Sequence, residues 1–202
     1  MSKKELKKYT IAFLYNVRHT YPDPNDPNSQ LEADFDDPKT IDCVIQHLKN
    51  CGCSVIPIEA NEYAYDVLLK NRKKIDLAFN FSEGVYGEDR YAHIPAILEM
   101  LRIPYTGSSP LTQGLVLHKA KMKDILRSHH VPTPTSQLFI TGKEKRDPSL
   151  LFPLIVKPVA QGSSAGITQK SVVKNDKELK KQVHTIFDLF HQPVLVEPFL
   201  TG

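Results

Sequence analysis

The sequence predicts an α/β protein in two parts. The first part, residues 1–117, is expected to form a doubly wound parallel sheet, and the second, residues 118–202, a smaller α+β lobe. Strands alternate with amphipathic helices up to about residue 107, and a strand–loop–strand–helix–strand pattern follows residue 153. With 202 residues and 41% hydrophobic side chains, the chain is large enough to bury a core in each part.

The N-terminal part begins with an apolar strand over residues 10–18. A helix is predicted from Asp37, with Asp as the N-cap and Pro38 at the first helical position. Its apolar residues recur at helical spacing, namely Ile41, Val44, Ile45 and Leu48. The remaining predicted elements are a strand at 53–58, a helix at 62–73, a strand at 75–81, a helix around 94–101 and a short strand at 103–107. Strands and helices alternating in this way indicate parallel βαβ units with helices on both faces of the sheet.

The C-terminal part begins with a helix over residues 119–130. A strand ending near Ile140, a polar turn at 142–149, a strand at 153–157 and a second strand at 166–173 are predicted next. A helix over 176–190 follows, with Asn175 as the N-cap and Glu178 three residues later. The last strand covers 193–200. The short loop between the strands at 153–157 and 166–173 indicates antiparallel pairing.

Composition excludes several classes of function. The net charge of +3 is small, and no basic run is interleaved with aromatic residues, so we expect no nucleic-acid partner. No segment approaches the roughly 20 apolar residues that span a bilayer, so we expect no membrane partner. Cysteines 43, 51 and 53 are odd in number and are expected to be reduced thiols in or near the core, which favours the cytoplasm.

Charge is distributed unevenly along the chain. Residues 19–38 contain six acidic side chains, four prolines and no Lys or Arg. A stretch of this length without a predicted helix or strand is unusual within a compact domain, so it is expected to be either mobile or functional.

The stretch "PLIVKPVAQGSSAGI" at 153–167 holds the strongest candidate site. Strand-end lysines and Gly-Ser turns are common features that need no function. A loop of small residues can also bring its backbone N–H groups close to a polyanion, and a lysine beside it supplies a positive charge. The P-loop, dinucleotide-fold and protein-kinase motifs are all missing from the sequence.

Three stretches together resemble the ATP-grasp carboxylate–amine ligases, in particular the D-alanine–D-alanine ligases. They are "EMLRIPYTGSSPLTQGLVLHKAKMKDILRSHHVPTPTS", "FPLIVKPVAQGSSAGI" and "VLVEPFLTG", in that order and near the family's spacing. The resemblance runs from about residue 75 to the end. It implies that residues 1–117 form the family's N-terminal (pre-ATP-grasp) domain and that 118–202 form the first lobe of the ATP-grasp domain.

The resemblance also implies a set of ATP-binding residues. Lys119 and Lys157 match lysines that contact the phosphates, and the loop that folds over them matches Gly162, Ser163, Ser164 and Gly166. Glu197 begins the segment that holds adenine, where the carbonyl of Pro198 and the N–H of Leu200 would pair with the ring. Lys157 and Ser163 are the predicted catalytic residues. The cofactors implied are ATP and Mg²⁺, with no metal ligand within this chain and the metal ligands expected beyond residue 202.

Two departures from the family pattern concern the substrate. Glu83 and Gly84 lie at the predicted substrate side, and Glu83 stands where the family has a histidine that helps hold a carboxylate. A glutamate would repel a carboxylate unless a cation intervened, although Glu83 could equally belong to a solvated turn. The first strand leads into "YNVRHTYPDPND" instead of a glycine-rich turn. These departures favour an acid or amine substrate other than D-alanine.

The implied activity is that of an ATP-dependent ligase, which joins a small-molecule acid to an amine through an acylphosphate. The chain is expected to be an incomplete part of such a ligase, lacking the second lobe and inactive by itself, with a homodimer as one option. The alternative is a non-catalytic, nucleotide-binding or regulatory relative. Metal-ligand acids after residue 202 would favour the enzyme over this alternative.

Overall fold

A computed structural model of the chain describes residues 8–23 and 26–200, without the side chains of residues 27 and 28. These residues fall into two units. One comprises residues up to 19 together with 35–113, and the other comprises 20–34 together with the residues from 114 onward. The division at residue 117 remains a sequence-based expectation. The structure adds that the acidic stretch 20–34 packs with the C-terminal residues.

The first unit contains a parallel sheet of three strands in the order β2-β1-β3. The strands are β1 (Thr10–Tyr15), β2 (Ser54–Glu59) and β3 (Leu77–Asn80). The central strand β1 pairs with both neighbours in parallel register, with Ala12 opposite Ile56 and Ala78. The predicted parallel pairing is therefore confirmed. The predicted strand at 103–107 is reduced to a single parallel bridge between Ala78 and Tyr105.

The first helix forms as its capping residues predict. Helix α1 (Pro38–Asn50) follows Asp37, whose side chain accepts a hydrogen bond from the Lys39 N–H, and Pro38 opens the helix. Its apolar face packs Ile41 into the core. The other helices that lie within this unit or lead out of it are α2 (Ala64–Asn71), α3 (His93–Met100) and α4 (Pro110–Leu117). The sequence did not reveal α4.

The core of the first unit lies around the parallel sheet. Ala12, Leu14 and Ala78 from the strands are buried together with Leu68 from α2 and Leu98 from α3. Burying one leucine side chain contributes about 1.5–3 kcal/mol relative to leaving it exposed. Packing of the helices against the strands therefore fixes the positions of the strand ends, where the substrate-side residues were predicted.

The second unit contains an antiparallel sheet in the order β4-β7-β5-β6. Its strands are β4 (Gln137–Phe139), β5 (Leu154–Pro158), β6 (Val172–Val173) and β7 (Val194–Pro198). The predicted strand at 166–173 is wrong for all but its last two residues. Thr168 and Ser171 exchange hydrogen bonds across a short 3₁₀ helix, Gln169–Ser171, and this local capping replaces strand pairing.

Two helices complete the second unit. Helix α5 (Lys119–Ser128) begins at His118, and helix α6 (Asp176–Phe190) begins at Asn175, whose side chain accepts a hydrogen bond from the Glu178 N–H. The predicted start of α6 is thus confirmed. Its apolar face covers the sheet with Leu179, Val183, Ile186 and Phe190.

Residues 20–34 contribute to the second unit. A 3₁₀ helix, Pro27–Glu32, contacts α6, and Ala33 packs against the core of this unit. The buried Ser29 hydroxyl accepts a hydrogen bond from the Asp23 N–H at 2.6 Å and donates one to the Asp26 carbonyl at 2.6 Å. The stretch is therefore ordered by local hydrogen bonds and apolar contact.

The cysteines are free thiols, but their predicted burial is wrong for two of the three. Cys43 and Cys51 are exposed, and Cys53 is half-buried. Cys43 lies on α1 away from its buried residue Ile41, and Cys51 lies at the C-terminal cap of the same helix. Across the described ranges, no helix is both long and apolar enough to cross a membrane.

Substitution of Gly166 should destabilise the second unit more than substitution of Gly142. Both glycines have positive φ, +72° and +73°. An added Cβ would lie 2.4 Å from the Phe190 ring at Gly166, and 3.9 Å from Val183 at Gly142. Gly142→Ala should cost about 1–2 kcal/mol for its backbone conformation, and Gly166→Ala about 1–3 kcal/mol more for overpacking.

Urea unfolding followed by far-ultraviolet circular dichroism measures both costs, because the chain has no Trp for fluorescence. Equal stabilities for the two variants would contradict the close packing of Gly166 against Phe190.

Candidate functional site

The pairing of β5 with β7 places two predicted site residues side by side. Lys157 lies opposite Leu195, and Ile155 lies opposite Glu197. Because side chains alternate along a strand, Lys157 and Glu197 project from the same face as diagonal neighbours. Their ammonium and carboxylate groups form an ion pair through Glu197 Oε1. The opposite face of β5, with Leu154 and Val156, is buried in the core under α6.

A second lysine binds the same carboxylate. Lys123 Nζ lies 2.7 Å from Glu197 Oε2, and the two side chains are only 9% and 10% exposed. Burial alone would raise the pKa of Glu197, but hydrogen bonds from Lys123 and Lys157 outweigh it and hold that pKa below its ordinary value. Glu197 is therefore a carboxylate at neutral pH. No motif singled out Lys123, although it lies one helical turn after Lys119.

Lys119 reaches the loop that follows β5. His118 caps α5, with its Nδ1 accepting a hydrogen bond from the Lys121 N–H at 3.3 Å, so the histidine serves as an N-cap. The Lys119 N–H donates to the Val159 carbonyl at 3.0 Å, and its ammonium donates to the Gln161 carbonyl. Helix α5 therefore begins directly beside the loop.

Lys119, Lys157 and the loop after β5 line one cavity of about 300 Å³. The cavity brings together five of the predicted ATP-binding residues: Lys119, Lys157, Gly162, Ser163 and Ser164. Two ammonium groups and a loop of small residues facing one space give it the character of an anion site.

The loop has an unusual backbone conformation. Ser163 and Ser164 have φ values of +44° and +59°, which cost non-glycine residues roughly 1–2 kcal/mol each. The loop is closed by hydrogen bonds from the Ala165 N–H to Gly162 and from the Ile167 N–H to Ser164. Within the described part of the chain, no group accepts a hydrogen bond from the N–H of Ser163 or Ser164. Strained residues with available donors are typical of ligand-binding loops.

An acidic residue from the stretch 20–34 contacts this loop. The Gly162 N–H donates a hydrogen bond to Asp34 Oδ2 at 3.2 Å, and Asp34 is buried. A carboxylate therefore already occupies one backbone donor of the candidate anion site. Sequence reasoning marked the stretch as either mobile or functional, but could not pair it with a loop more than a hundred residues away.

Four other predicted ATP-binding residues do not line the cavity, and one of them, Glu197, forms the ion pairs described above. Gly166 packs against Phe190 and Ile186 under the loop, which is a structural role. Pro198 ends β7 opposite Leu154, and Leu200 is exposed. The adenine-binding roles of Pro198 and Leu200 therefore stay predictions, as does the role of Ser163 in catalysis.

In the first unit, a buried asparagine holds the predicted substrate-side residues. Asn16 Oδ1 accepts hydrogen bonds from the N–H groups of Glu83 and Gly84, each at 2.9 Å, and its Nδ2 donates to the Ala60 carbonyl at 3.2 Å. Asn16 thus ties the carboxyl ends of the three parallel strands together. Gly84 is required there, because a Cβ would lie 2.4 Å from the Arg90 carbonyl oxygen. Only the position of Asn16 directly after β1 could have suggested this role.

Two further observations leave the assignment of the anion site unchanged. In residues 8–23 and 26–200, no group of three or more His, Cys, Asp or Glu side chains could hold a metal ion. A hollow of about 680 Å³ lies between the turn at 142–146 and α6, but none of the predicted site residues lines it.

Comparison with known proteins identifies relatives of both parts of the chain. Residues 117–202 match the family model described as the D-ala D-ala ligase C-terminus. An uncharacterised protein of Sinorhizobium fredii, y4sG, is 34% identical over 188 residues, which cover 90% of this chain and 53% of that protein. D-alanine–D-alanine ligase A of Bacillus cereus is 34% identical over 163 residues, covering 79% of this chain and 51% of the ligase.

The fold is similar to that of a solved ligase. The comparison structure is the crystal structure of the Bacillus anthracis D-alanine–D-alanine ligase complexed with ATP. The superposition covers 96% of this chain and 60% of the ligase chain, with a TM-score of 0.69 and 27% sequence identity. The chain spans about half the length of the curated relatives it matches.

Removal of the Asp34 carboxylate should loosen the loop at Gly162. Asp34→Ala removes a hydrogen bond between a charged acceptor and the Gly162 N–H, which contributes about 1.5–3 kcal/mol. Hydrogen exchange at residues 162–166 should therefore become about tenfold to a hundredfold faster.

Glu32→Gln is the matched control for Asp34→Ala. It removes a charge from the same stretch, but the Glu32 carboxylate accepts from the Thr20 N–H and not from the loop. The prediction fails if the two variants exchange at the same rate.

Glu197 should make the second unit acid-sensitive. Its folded-state pKa is lowered, so the stability it contributes is present above its ordinary value of 4.5 and is lost as the pH falls through the folded-state value. The difference in unfolding free energy between the wild type and Glu197→Gln should thus be largest near pH 7 and should shrink below about pH 4.5. Urea unfolding at a series of pH values measures it, and a difference that grows on acidification would contradict this assignment.

Proposed function

Because the chain resembles the ATP-grasp, D-alanine–D-alanine ligase-like family in sequence and fold, we propose that it is the nucleotide-binding part of an ATP-dependent carboxylate–amine ligase. The observation that carries the proposal is the cavity in which Lys119 and Lys157 face the loop 162–164. In such a ligase, a carboxylate takes the γ-phosphoryl group of ATP to form an acylphosphate and release ADP, and an amine then attacks the acyl carbon and displaces phosphate.

The residues of this chain would bind and orient the nucleotide. The ammonium groups of Lys119 and Lys157 would neutralise phosphate charge, and the N–H groups of Ser163 and Ser164 would donate hydrogen bonds to phosphate oxygens. Fixed donors and charges of this kind stabilise the charge that develops during phosphoryl transfer. Adenine would lie against the end of β7, at the carbonyl of Pro198 and the N–H of Leu200. We assign none of the described side chains as a metal ligand, because they form no group of three or more His, Cys, Asp or Glu that could hold an ion.

The substrate is proposed to be a small acid and an amine other than two D-alanines. Glu83 supports this choice, since a carboxylate at the substrate side favours an ammonium group over a second carboxylate. Asn16 fixes the backbone of Glu83 and Gly84, so the fold of the first unit places Glu83 at the carboxyl ends of its strands.

Lys157→Met should weaken ATP binding by about tenfold to a hundredfold, because a charge-assisted hydrogen bond contributes roughly 1.5–3 kcal/mol. Isothermal titration of the full-length gene product with ATP measures the change. Lys121→Met is the control, since Lys121 is exposed on α5 and does not line the cavity.

A phosphate-release assay with ATP, Mg²⁺ and a panel of amino and hydroxy acids then distinguishes a ligase from a non-catalytic, nucleotide-binding protein. Turnover with a particular acid and amine supports the ligase. ATP binding without turnover supports a non-catalytic, nucleotide-binding protein, and a wild type that does not bind ATP overturns both.

A further inference from the structure

Lys123 is not among the predicted ATP-binding residues. It is nevertheless more deeply buried than Lys119 and Lys157, the other two lysines at this site. It is 7% exposed, and its ammonium lies 2.7 Å from Glu197 Oε2 and donates to the Thr133 hydroxyl at 3.0 Å. It does not line the cavity that Lys119 and Lys157 share. A buried lysine is costly unless its charge is paired, so its position calls for a physical explanation.

Glu197 is shared between two lysines that differ in their access to the cavity. Its Oε1 pairs with Lys157, whose side chain is 24% exposed and lines the cavity, and its Oε2 pairs with Lys123, whose side chain is 9% exposed. One carboxylate therefore faces two ammonium groups. A single lysine is enough to neutralise it, and Lys123 is the less exposed of the two.

This arrangement determines what Lys157 can do. A phosphate that recruits Lys157 competes with Glu197 for its ammonium group, and a buried carboxylate left without any partner is strongly destabilising. With Lys123 in place, Glu197 keeps an ion pair while Lys157 turns to the phosphate. Without Lys123, the same movement would leave Glu197 buried and unpaired.

We propose that Lys123 is a positioning residue for nucleotide binding, which keeps Glu197 paired so that Lys157 can exchange this carboxylate for a nucleotide phosphate. The inference rests on the proposed function, because it takes ATP as the source of the phosphate. It assigns Lys123 no contact with the nucleotide.

The test compares ATP with adenosine, which carries no phosphate, as probes of the full-length protein. Lys123→Met should raise the Kd for ATP by about tenfold and leave the Kd for adenosine unchanged, since only the phosphate competes for Lys157. Lys123→Arg keeps the charge and should restore ATP binding to within about threefold of the wild type. Lys121→Met, on the exposed face of the same helix, should bind ATP as the wild type does.

A double variant shows whether Lys123 acts through Glu197. Once Glu197→Gln has removed the carboxylate, adding Lys123→Met should produce no further loss of ATP affinity. The double variant lacks both buried charges, so it provides a folded comparison if Lys123→Met alone does not fold.

Nuclear magnetic resonance of the lysine side chains provides a measurement on the unmodified protein. Addition of ATP should shift the ammonium and Cε signals of Lys157 strongly and those of Lys123 weakly. A Lys123 shift as large as that of Lys157 would mean direct phosphate contact and would overturn the inference.

Failure of the inference can be distinguished from failure of the proposed function. If the wild type binds ATP and Lys157→Met weakens it while Lys123→Met does not, Lys123 is only a structural ion pair and the inference alone is wrong. Equal losses for ATP and adenosine in Lys123→Met would also reject it, because they would indicate a distorted adenine site. If the wild type does not bind ATP, both the inference and the proposed function are wrong.

Discussion

The antiparallel register between β5 and β7 is the constraint on which the candidate site depends. It sets Ile155 opposite Glu197 and Lys157 opposite Leu195, so that the lysine and the glutamate share a face. A shift of one residue would turn Lys157 into the core and expose Val156. The buried residues Leu154 and Val156, packed under α6, exclude that shift. The position of the ammonium group is thus enforced by apolar side chains on the opposite side of the same strand.

Local signals in the sequence predicted much of the fold. The starts of α1 and α6 are encoded by adjacent capping residues, Asp37 with Pro38 and Asn175 with Glu178, and both form as expected. The strand at 166–173 failed for an equally local reason. Thr168 and Ser171 satisfy each other's backbone groups, and this hydrogen bonding competes with a sheet ladder.

The candidate site could be predicted from the sequence where a motif marks its residues. The strand-end Lys157 and the loop beside it predicted an anion site, and Lys119, which the resemblance had implied, lines the same cavity. Lys123, Asp34 and Asn16 carried no such signal. Each acts through a contact between residues far apart in sequence, and no local pattern in the sequence indicates which distant residues meet. Their roles follow from packing, which only the three-dimensional structure reveals.

The stretch 20–34 has a consequence for dissecting the protein. Its residues lie between β1 and α1 in the chain, yet Ala33 packs on the core of the second unit and Asp34 binds its loop. A fragment beginning at residue 114 would therefore lack part of its own interior and would expose the apolar surface that Ala33 covers. The boundary between the units is discontinuous along the chain, so no single cut can yield the second unit intact. Expression of that unit alone would require residues 20–34 to be supplied, for example by joining them to its N-terminus through a flexible linker.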